Sequence, residues 1–503
     1  MRKIFVLLVA AVVTLGLSAP QAFGQPPAPA APAAPKVTIS GLVDFVTSLY
    51  HNISTGNITQ GGDNGWYSRE RGVFTVTGEV GAVKGVVAFE LDFVNGKTAN
   101  VGTAGPGSGA SFDVETDEKG QVETKWLYLE APITGANSLL PFLPMRTTGR
   151  FGAQPARGHD YKPGILLSGD FPGASFETMW APNLTSTLTY VQVDEALDRV
   201  INPGGTEDYA IVASVAFDVF KGLTIKPTYS FARYYNGANG DGNHGLYGRG
   251  GLATTTAREV TRHTIGGDVR WTTGPFTLAP TFFYQMGERD AVIAAGQSVD
   301  INAWIFDVVA GFRTGPLNVE VRGSVTSGNK ANECPQASGG CTGGDDINYY
   351  EQVSAGTTGF WSGWAELEAS GVDYNMTLNP ASAMRLGGSP SYDKYGRMIV
   401  GAAVDYAVTP ALTFFLLTNV QWTMEKVDTD GTLSANGITP SAAASGDDKY
   451  LGNEWDLGFN YRFAPNVVFT MVGAYLFAGD ARGVNGASPD DVYRITARMR
   501  VTW

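Results

Sequence analysis

Apolar and polar residues alternate with a period of two along most of the chain beyond residue 36. In the last segment, Tyr493, Ile495 and Val501 lie on one face, and Arg494 and Arg498 lie on the other. Successive side chains of a β-strand point to opposite sides of a sheet, so this alternation predicts strands with one apolar and one polar face. No comparable helical periodicity interrupts the series.

Runs of this kind recur and are separated by Gly- and Pro-containing turns or by polar loops, which predicts about 18 strands, with 16 as the alternative. The runs fall near 37–50, 68–80, 84–95, 120–131, 145–153, 173–180, 183–194, 208–220, 222–235, 257–273, 275–287, 300–314, 316–328, 395–408, 410–426, 448–463, 466–479 and 490–503. Turns such as Thr273-Gly274-Pro275-Phe276 suit tight reversals between antiparallel neighbours. The predicted fold is therefore an all-β, up-and-down antiparallel sheet.

The first residues have the pattern of an export signal and not of a fold. Arg2 and Lys3 precede an apolar stretch, and Ala22-Phe23-Gly24 offers a small-residue cleavage site. We expect a signal peptide over 1–24, a Pro/Ala-rich periplasmic spacer over 25–36, and a single strand-rich domain over 37–503. Proline cannot donate to a strand ladder, so the spacer should be extended.

Composition narrows the class of protein. The chain has 64 glycines and only 17% charged residues, against roughly 25% charged residues in typical soluble domains. No segment beyond the export signal approaches 18 consecutive apolar residues, so no membrane-spanning helix is expected. The net charge of −13 argues against a nucleic-acid partner. An exported, glycine-rich chain with alternating strands fits a transmembrane β-barrel.

The chain ends on an aromatic residue, Trp503, inside its last predicted strand. Together with the export signal and the strand rhythm, this ending resembles Gram-negative outer-membrane porins, whose final strand closes the barrel and finishes with Phe or Trp. The resemblance implies insertion among outer-membrane lipid and lipopolysaccharide, recognition of Trp503 by the barrel-assembly machinery, and a homotrimer. It also implies a water-filled channel for passive diffusion of small hydrophilic solutes and ions.

Backbone chemistry requires such a barrel to close, because an unpaired amide costs several kcal/mol in hydrocarbon. With about 16 to 18 strands, side chains no longer fill the lumen. Charged residues on the polar faces should then line an aqueous pore and set its ion preference. These candidates are Arg69, Arg71, Arg146, Arg150, Arg322, Arg494, Arg498, Arg500, Glu90, Asp92, Glu320, Glu454 and Asp456.

Two interpretations of these charges remain open at this level. The arginines could form a basic ladder that makes the channel selective for anions or oligosaccharides. They could equally pair with the neighbouring acids as ordinary water-facing charge. A plugged structural barrel and an outer-membrane enzyme are further alternatives.

Two loops are candidates for the constriction. In classical porins the loop after the fifth strand folds inward, and the corresponding segment here carries Arg157, Asp160, Lys162 and Asp170 but lacks a Pro-Glu-Phe-Gly-Gly-Asp stretch. The second is the long loop over 328–393, which either inserts an element around Trp361 into the mouth or forms an extracellular cap.

The remaining chemistry is sparse. Cys334 and Cys341 lie seven positions apart in the long loop and should form a disulfide in an oxidising compartment. The four histidines fall in no catalytic or metal-binding motif, and no Gly-x-Ser-x-Gly or phosphate-binding pattern is present. The sequence therefore predicts neither an enzyme nor a cofactor or metal site.

Overall fold

A computed structural model describes most of the strand-rich part of the chain. It covers residues 34–53, 58–59, 64–94, 122–159, 162, 164–167, 169–194, 208–236, 258–290, 298–333, 337–338, 341–342, 345–353, 360–369, 371–373, 390–392, 394–434, 437–439 and 441–503. Within these ranges, no helix has the length and apolar character needed to cross a membrane.

The described residues form 22 strands and one short 3₁₀ helix. The strands are β1 (Lys36–His51), β2 (Asn64–Val80), β3 (Val83–Val94), β4 (Val122–Thr134), β5 (Arg146–Pro155), β6 (Asp170–Ala181), β7 (Leu184–Asp194), β8 (Asp208–Phe220), β9 (Leu223–Asn236), β10 (Arg258–Thr273), β11 (Phe276–Asp290), β12 (Ser298–Thr314), β13 (Leu317–Thr326), β14 (Ala337–Ser338), β15 (Cys341–Thr342), β16 (Arg397–Ala407), β17 (Leu412–Val427), β18 (Thr432–Ser434), β19 (Gly437–Thr439), β20 (Asp448–Ala464), β21 (Val467–Ala478) and β22 (Val492–Thr502). The 3₁₀ helix spans Asp480–Arg482.

Eighteen of these strands make one closed antiparallel barrel. Each barrel strand pairs with its neighbours along the chain, and β1 also pairs with β22, which removes the last free edge. The short strands β14 and β15, and likewise β18 and β19, form two hairpins within loops. The predicted up-and-down barrel of about 18 strands is confirmed, and the alternative of 16 is wrong.

The alternation of the sequence divides the two faces of the wall. On β22, Ile495, Met499 and Val501 are exposed on the outer face, while Arg494 is buried inside. The same division places Leu457 and Phe459 outward on β20 and Asp456 inward. Because the period of a strand is exactly two residues, a single register fixes both faces of the wall at once.

Connections differ in length at the two ends of the barrel. At the end that holds both termini of the barrel domain, most strands are joined by two to four residues, as at 81–82, 274–275 and 408–411, with 135–145 as the longer exception. At the other end the connections are long, and two of them, 156–169 and 327–396, contribute the site described below.

The closing seam depends on a glycine. The backbone N–H of Gly41 on β1 donates to the Trp503 carbonyl at 3.1 Å, and the Trp503 N–H donates back to the Gly41 carbonyl at 3.1 Å. A Cβ at position 41 would lie 2.3 Å from the Val73 carbonyl oxygen and 2.9 Å from the Trp503 ring. The absent side chain therefore lets three strands meet beside the terminal aromatic.

We expect Gly41→Ala to weaken the closed barrel, because overpacking of this kind costs about 1–3 kcal/mol. The measurement is the temperature at which the folded form is lost in a gel-shift assay. Gly78→Ala on the neighbouring strand is the matched control, since a Cβ there meets nothing within 4 Å. Equal melting of the two variants would contradict the assignment of a packing role to Gly41.

Candidate functional site

The loop between β5 and β6 folds back along the inner wall of the barrel. His159 forms hydrogen bonds to Ser214 of β8 at 2.9 Å and to Thr189 of β7 at 2.7 Å. Farther along, the Lys162 ammonium lies 2.7 Å from a carboxylate oxygen of Asp307 on β12. These contacts cross from β7 to β12, so the loop covers a broad sector of the lumenal wall.

Burial decides the charge of the residues that hold this loop. Burial and, to a lesser extent, the nearby Lys226 and Arg157 cations lower the pKa of His159 to about 3. The imidazole is therefore neutral at physiological pH and serves as a hydrogen-bonding bridge between two strands. His159 and Ser214 are both buried, so this His–Ser contact is covered by protein and closed to a solute.

The long loop between β13 and β16 also lies inside the barrel. Gln285 of β11 binds both backbone groups of Glu351. Its Nε2 donates to the Glu351 carbonyl at 2.6 Å, and its Oε1 accepts from the Glu351 N–H at 3.0 Å. The Glu351 carboxylate pairs with Arg262 of β10. The two inward loops also bind each other, since Val353 N–H donates to the Leu166 carbonyl at 2.8 Å.

A second part of the long loop packs aromatic rings on wall arginines. The guanidinium of Arg322 on β13 lies 4.3 Å from the ring centroid of Trp361 and 5.7 Å from that of Phe360. Its Nε also donates to Asp307 at 2.9 Å. Stacking and ion pairing together hold this part of the loop against the wall.

Acidic side chains of the long loop meet arginines from three separate elements. Glu366 accepts from Arg494 of β22 at 2.9 Å. Glu368 pairs with Arg397 of β16 at 3.2 Å and with Arg482 of the 3₁₀ helix. All five side chains are buried. A buried ion pair loses several kcal/mol when one partner is removed, so these contacts fix the position of the segment.

Asp373 ties the long loop to the closing seam. Its carboxylate accepts from Ser48 of β1 at 2.5 Å, from Tyr67 of β2 at 2.6 Å, and from Arg69 Nε at 3.3 Å. Its carbonyl accepts from Arg494 at 3.0 Å. Burial by itself raises the pKa of Asp373, but Arg494 and the two hydroxyl donors outweigh it and lower the pKa. The ionised carboxylate bridges β1 and β2, and the backbone carbonyl of the same residue binds β22.

An apolar seat lies beneath the long loop on the inner wall. Phe415 and Leu417 of β17 and Val472 of β21 point inward and are buried against Val372. Farther along the wall, Ile301, Ala303 and Ile305 of β12 are likewise inward and buried. Exposure of these apolar side chains to water in the lumen would cost free energy, and the inward loops cover them.

The part of the lumen left accessible is bordered by the wall from β22 through β5. Charged side chains there keep part of their surface in water, as with Arg500 at 32%, Arg71 at 20% and Arg150 at 18%. On the covered wall Arg322 and Asp307 are at most 4% exposed. This part of the wall, the open wall, keeps more of its charged surface in water than the wall at β12 and β13.

Most charges on this open wall are paired. Asp44 accepts from Arg500, and Glu90 pairs with both Arg71 and Lys125. Glu130 pairs with Arg150 at 2.8 Å and with Arg157 at 3.2 Å. Asp170 joins Lys125 at 3.1 Å.

Arg498 differs from these paired charges. Among the described residues, no carboxylate oxygen lies within 4 Å of its guanidinium, whose one protein acceptor is the Val372 carbonyl at 3.4 Å.. It lies on β22 between Arg494 and Arg500 and is only partly buried.

The structure divides the sequence-predicted pore residues into three groups. The residues at the open wall that stay partly exposed are Arg71, Arg150, Arg157, Arg498, Arg500, Asp92 and Asp170, and Glu90 is buried among them. The residues buried beneath the inward loops are Arg69, Arg322, Arg494, Glu454, Asp456 and Lys162. Arg146 and Glu320 lie toward the short-turn end. Asp160 and Cys334 lie outside the described residues, so the disulfide with Cys341 stays a prediction.

Sequence reasoning did not find the residues that anchor the loops. Ser48, Tyr67, Asp373 and Arg482 are ordinary polar residues when they are considered one by one. A signal was present, however, in β17 and β21, where both faces are apolar and the alternation fails. Inward apolar residues indicate that something other than water fills that part of the lumen.

Comparisons with solved structures align most of this chain with several other proteins at low sequence identity. Pseudomonas aeruginosa OccK5 (OpdH) aligns with a TM-score of 0.47 and 11% identity over 92% of this chain and 98% of that chain. Acinetobacter baumannii OccAB2 aligns with a TM-score of 0.48 and 10% identity over 92% of this chain and 98% of that chain. Acinetobacter baumannii OccAB1 aligns with a TM-score of 0.47 and 14% identity over 92% of this chain and 96% of that chain. No protein-family model and no curated protein matches the sequence.

Proposed function

We propose that the protein is an outer-membrane porin, a channel that passes small hydrophilic solutes and ions by diffusion, and not an enzyme. One observation carries this proposal: a closed 18-strand wall with an apolar outer face encloses a lumen that still contains partly exposed charged side chains. A belt of exposed Phe, Leu and Ile around a closed barrel suits lipid, and barrels of this size leave an aqueous channel.

The decisive experiment is single-channel recording of the purified protein in a planar lipid bilayer. Discrete conductance steps support the channel. Complete absence of steps, with folded barrel verified by gel shift, overturns it in favour of a plugged structural barrel. Solute flux into liposomes that contain the protein gives an independent measurement.

A selective channel for anions is the second candidate, and Arg498 favours it. The other arginines of the open wall have carboxylate partners, whereas Arg498 has none among the described residues. A guanidinium without a fixed counter-ion attracts a mobile anion, which is how charged pore linings select ions.

We expect Arg498→Gln to reduce the anion preference, as read from the reversal potential under a salt gradient. Arg500→Gln is the matched control on the same face of β22, because this arginine is already paired with Asp44 and its loss changes the fixed charge by the same amount. A larger loss of anion preference in Arg500→Gln than in Arg498→Gln would refute the role of Arg498.

The finer parts of the proposal concern export and assembly. Residues 1–24 would direct secretion, and Trp503 would be recognised by the barrel-assembly machinery, which fits its place at the closing seam beside Phe74. Outer-membrane lipid and lipopolysaccharide would surround the apolar outer face. The resemblance to porins further supports a homotrimer, which native mass spectrometry in mild detergent would test.

A further inference from the structure

Two carboxylates of the inner wall lie directly beneath the long loop. Glu454 and Asp456 are separated by one residue on β20, so both point inward, and both are fully buried. The N–H of Glu366 donates to both of them, at 2.8 Å to Glu454 and at 3.0 Å to Asp456. The carboxyl groups therefore crowd around one donor.

Backbone amides of the loop converge on the same place. The Leu367 N–H donates to Glu454 at 2.6 Å, and the Glu368 N–H donates to it at 3.3 Å. Three consecutive N–H groups aimed at one acceptor form an anion-binding nest, and they satisfy one negative charge well. They do not supply partners for two full charges, and Asp456 Oδ1 is buried without a hydrogen bond in the described part of the chain.

No cation compensates the pair by contact. In the described ranges, no Lys or Arg nitrogen lies within 4 Å of Glu454 or Asp456; the nearby arginines contact other acids. The neighbouring wall strands offer only Leu417 and Asn419 of β17, and Ala474 and Leu476 of β21.

The other charged groups facing the pair belong to the loop and its anchors. They are Glu366, Glu368 and Asp373 of the loop, Arg397 of β16, Arg482 of the 3₁₀ helix, and Arg494 and Arg498 of β22. The three acids add negative charge close to the pair, and their own arginines are already engaged.

From this geometry we propose that Glu454 and Asp456 share one proton, and that this proton is the catch that seats the long loop in the lumen. Two buried carboxylates at hydrogen-bonding distance from one donor cannot both ionise without a counter-charge. Loss of the proton would place a second negative charge against Glu366 and Glu368 and push the loop away from its seat.

The neighbouring loop carboxyl works in the same direction. Burial raises the pKa of Glu366, and Arg494 only partly offsets this effect. A raised pKa means that the seat is fully stable below the ordinary pKa of a glutamate and weakens as pH rises. Both effects therefore predict a seat that weakens as pH rises above the ordinary pKa of a glutamate. The lowered pKa of Asp373 acts in the opposite direction, because its contribution is lost only as pH falls below the ordinary pKa of an aspartate.

Three readouts on the full-length protein test the catch. In the wild type we expect an infrared carbonyl band of a buried protonated carboxyl that disappears on alkalinisation, together with a rise in conductance over the same pH interval. The protection of the 366–368 amides against hydrogen exchange, corrected for intrinsic rates, should fall in parallel. Asp456→Asn, which keeps the shape and leaves one carboxylate in the nest, should remove the contribution of the pair to the band and most of the pH dependence of conductance and amide protection, leaving only the smaller contribution of Glu366.

Glu320→Gln is the control, because it removes a lumenal carboxyl of β13 that does not contact the loop in the described residues, and it should keep the pH dependences. The proposal is overturned if the wild type lacks the band, or if Asp456→Asn retains the pH-dependent change in amide protection at its wild-type size. The conductance measurement rests on the proposed channel function, whereas the infrared and hydrogen-exchange measurements do not. Absence of conductance at every pH, with band and protection behaving as expected, would refute the channel and leave the proton catch intact.

Discussion

Replacing residues 329–394 with an Asn-Gly turn is expected to raise the single-channel conductance severalfold. The two ends of this segment are already adjacent, since the Asn329 N–H donates to the Lys394 carbonyl at 2.6 Å. A two-residue turn therefore joins β13 to β16 as in an ordinary hairpin. The loop now covers the wall of β10–β13 and β16–β22, and its removal would return that cross-section to water.

Removal of the loop would expose the apolar seat to water, so the variant also needs polar side chains at these positions of the inner wall. Phe415→Thr and Leu417→Thr remove the two largest inward apolar groups of β17 that the loop covers, and they should accompany the loop replacement. The control replaces 136–144, in the long connection at the other end of the barrel, with the same turn, and should conduct like the parent. An unchanged conductance in the loop variant would show that the narrowest point lies elsewhere.

Substitution of Glu368 is expected to have the second large effect. This fully buried carboxylate pairs with both Arg397 and Arg482. In Glu368→Ala two buried guanidinium groups lose their shared counter-ion, and breaking a buried pair of this kind costs roughly 3–5 kcal/mol. We expect a lower melting temperature in the gel-shift assay and noisy, unstable conductance levels, because the loop loses one of its anchors.

Two further variants separate the loss of a carboxylate charge in general from the loss of this buried ion cluster. Glu177→Gln removes a carboxylate that is 52% exposed and 3.5 Å from Arg157, so it should change stability by at most about 1 kcal/mol. A triple replacement of Glu368, Arg397 and Arg482 by leucine should recover much of the stability, since buried ion clusters tolerate apolar substitution. If Glu368→Ala melts like Glu177→Gln, the ion cluster does not hold the loop.

The sequence alone was sufficient to determine the barrel. A strand period of two residues, a polar face opposite an apolar face, and short Gly- and Pro-containing turns are local properties, and each can be recognised within ten or fifteen residues. Segment 493–503 illustrates this, because its alternation assigned both faces of the strand that pairs with β1. Closure itself follows from the chemistry of unpaired backbone groups.

The tertiary structure decided what fills the lumen. Asp373 meets Ser48 across 325 positions of sequence and Arg494 across 121, and no local pattern encodes such a pairing. The sequence predicted that Arg69, Arg494, Glu454 and Asp456 would be inward and polar, but their burial depends on a loop whose path is fixed by long-range contacts. Alternation tells which side of the wall a residue faces, whereas access to water is decided by distant segments that fold over it.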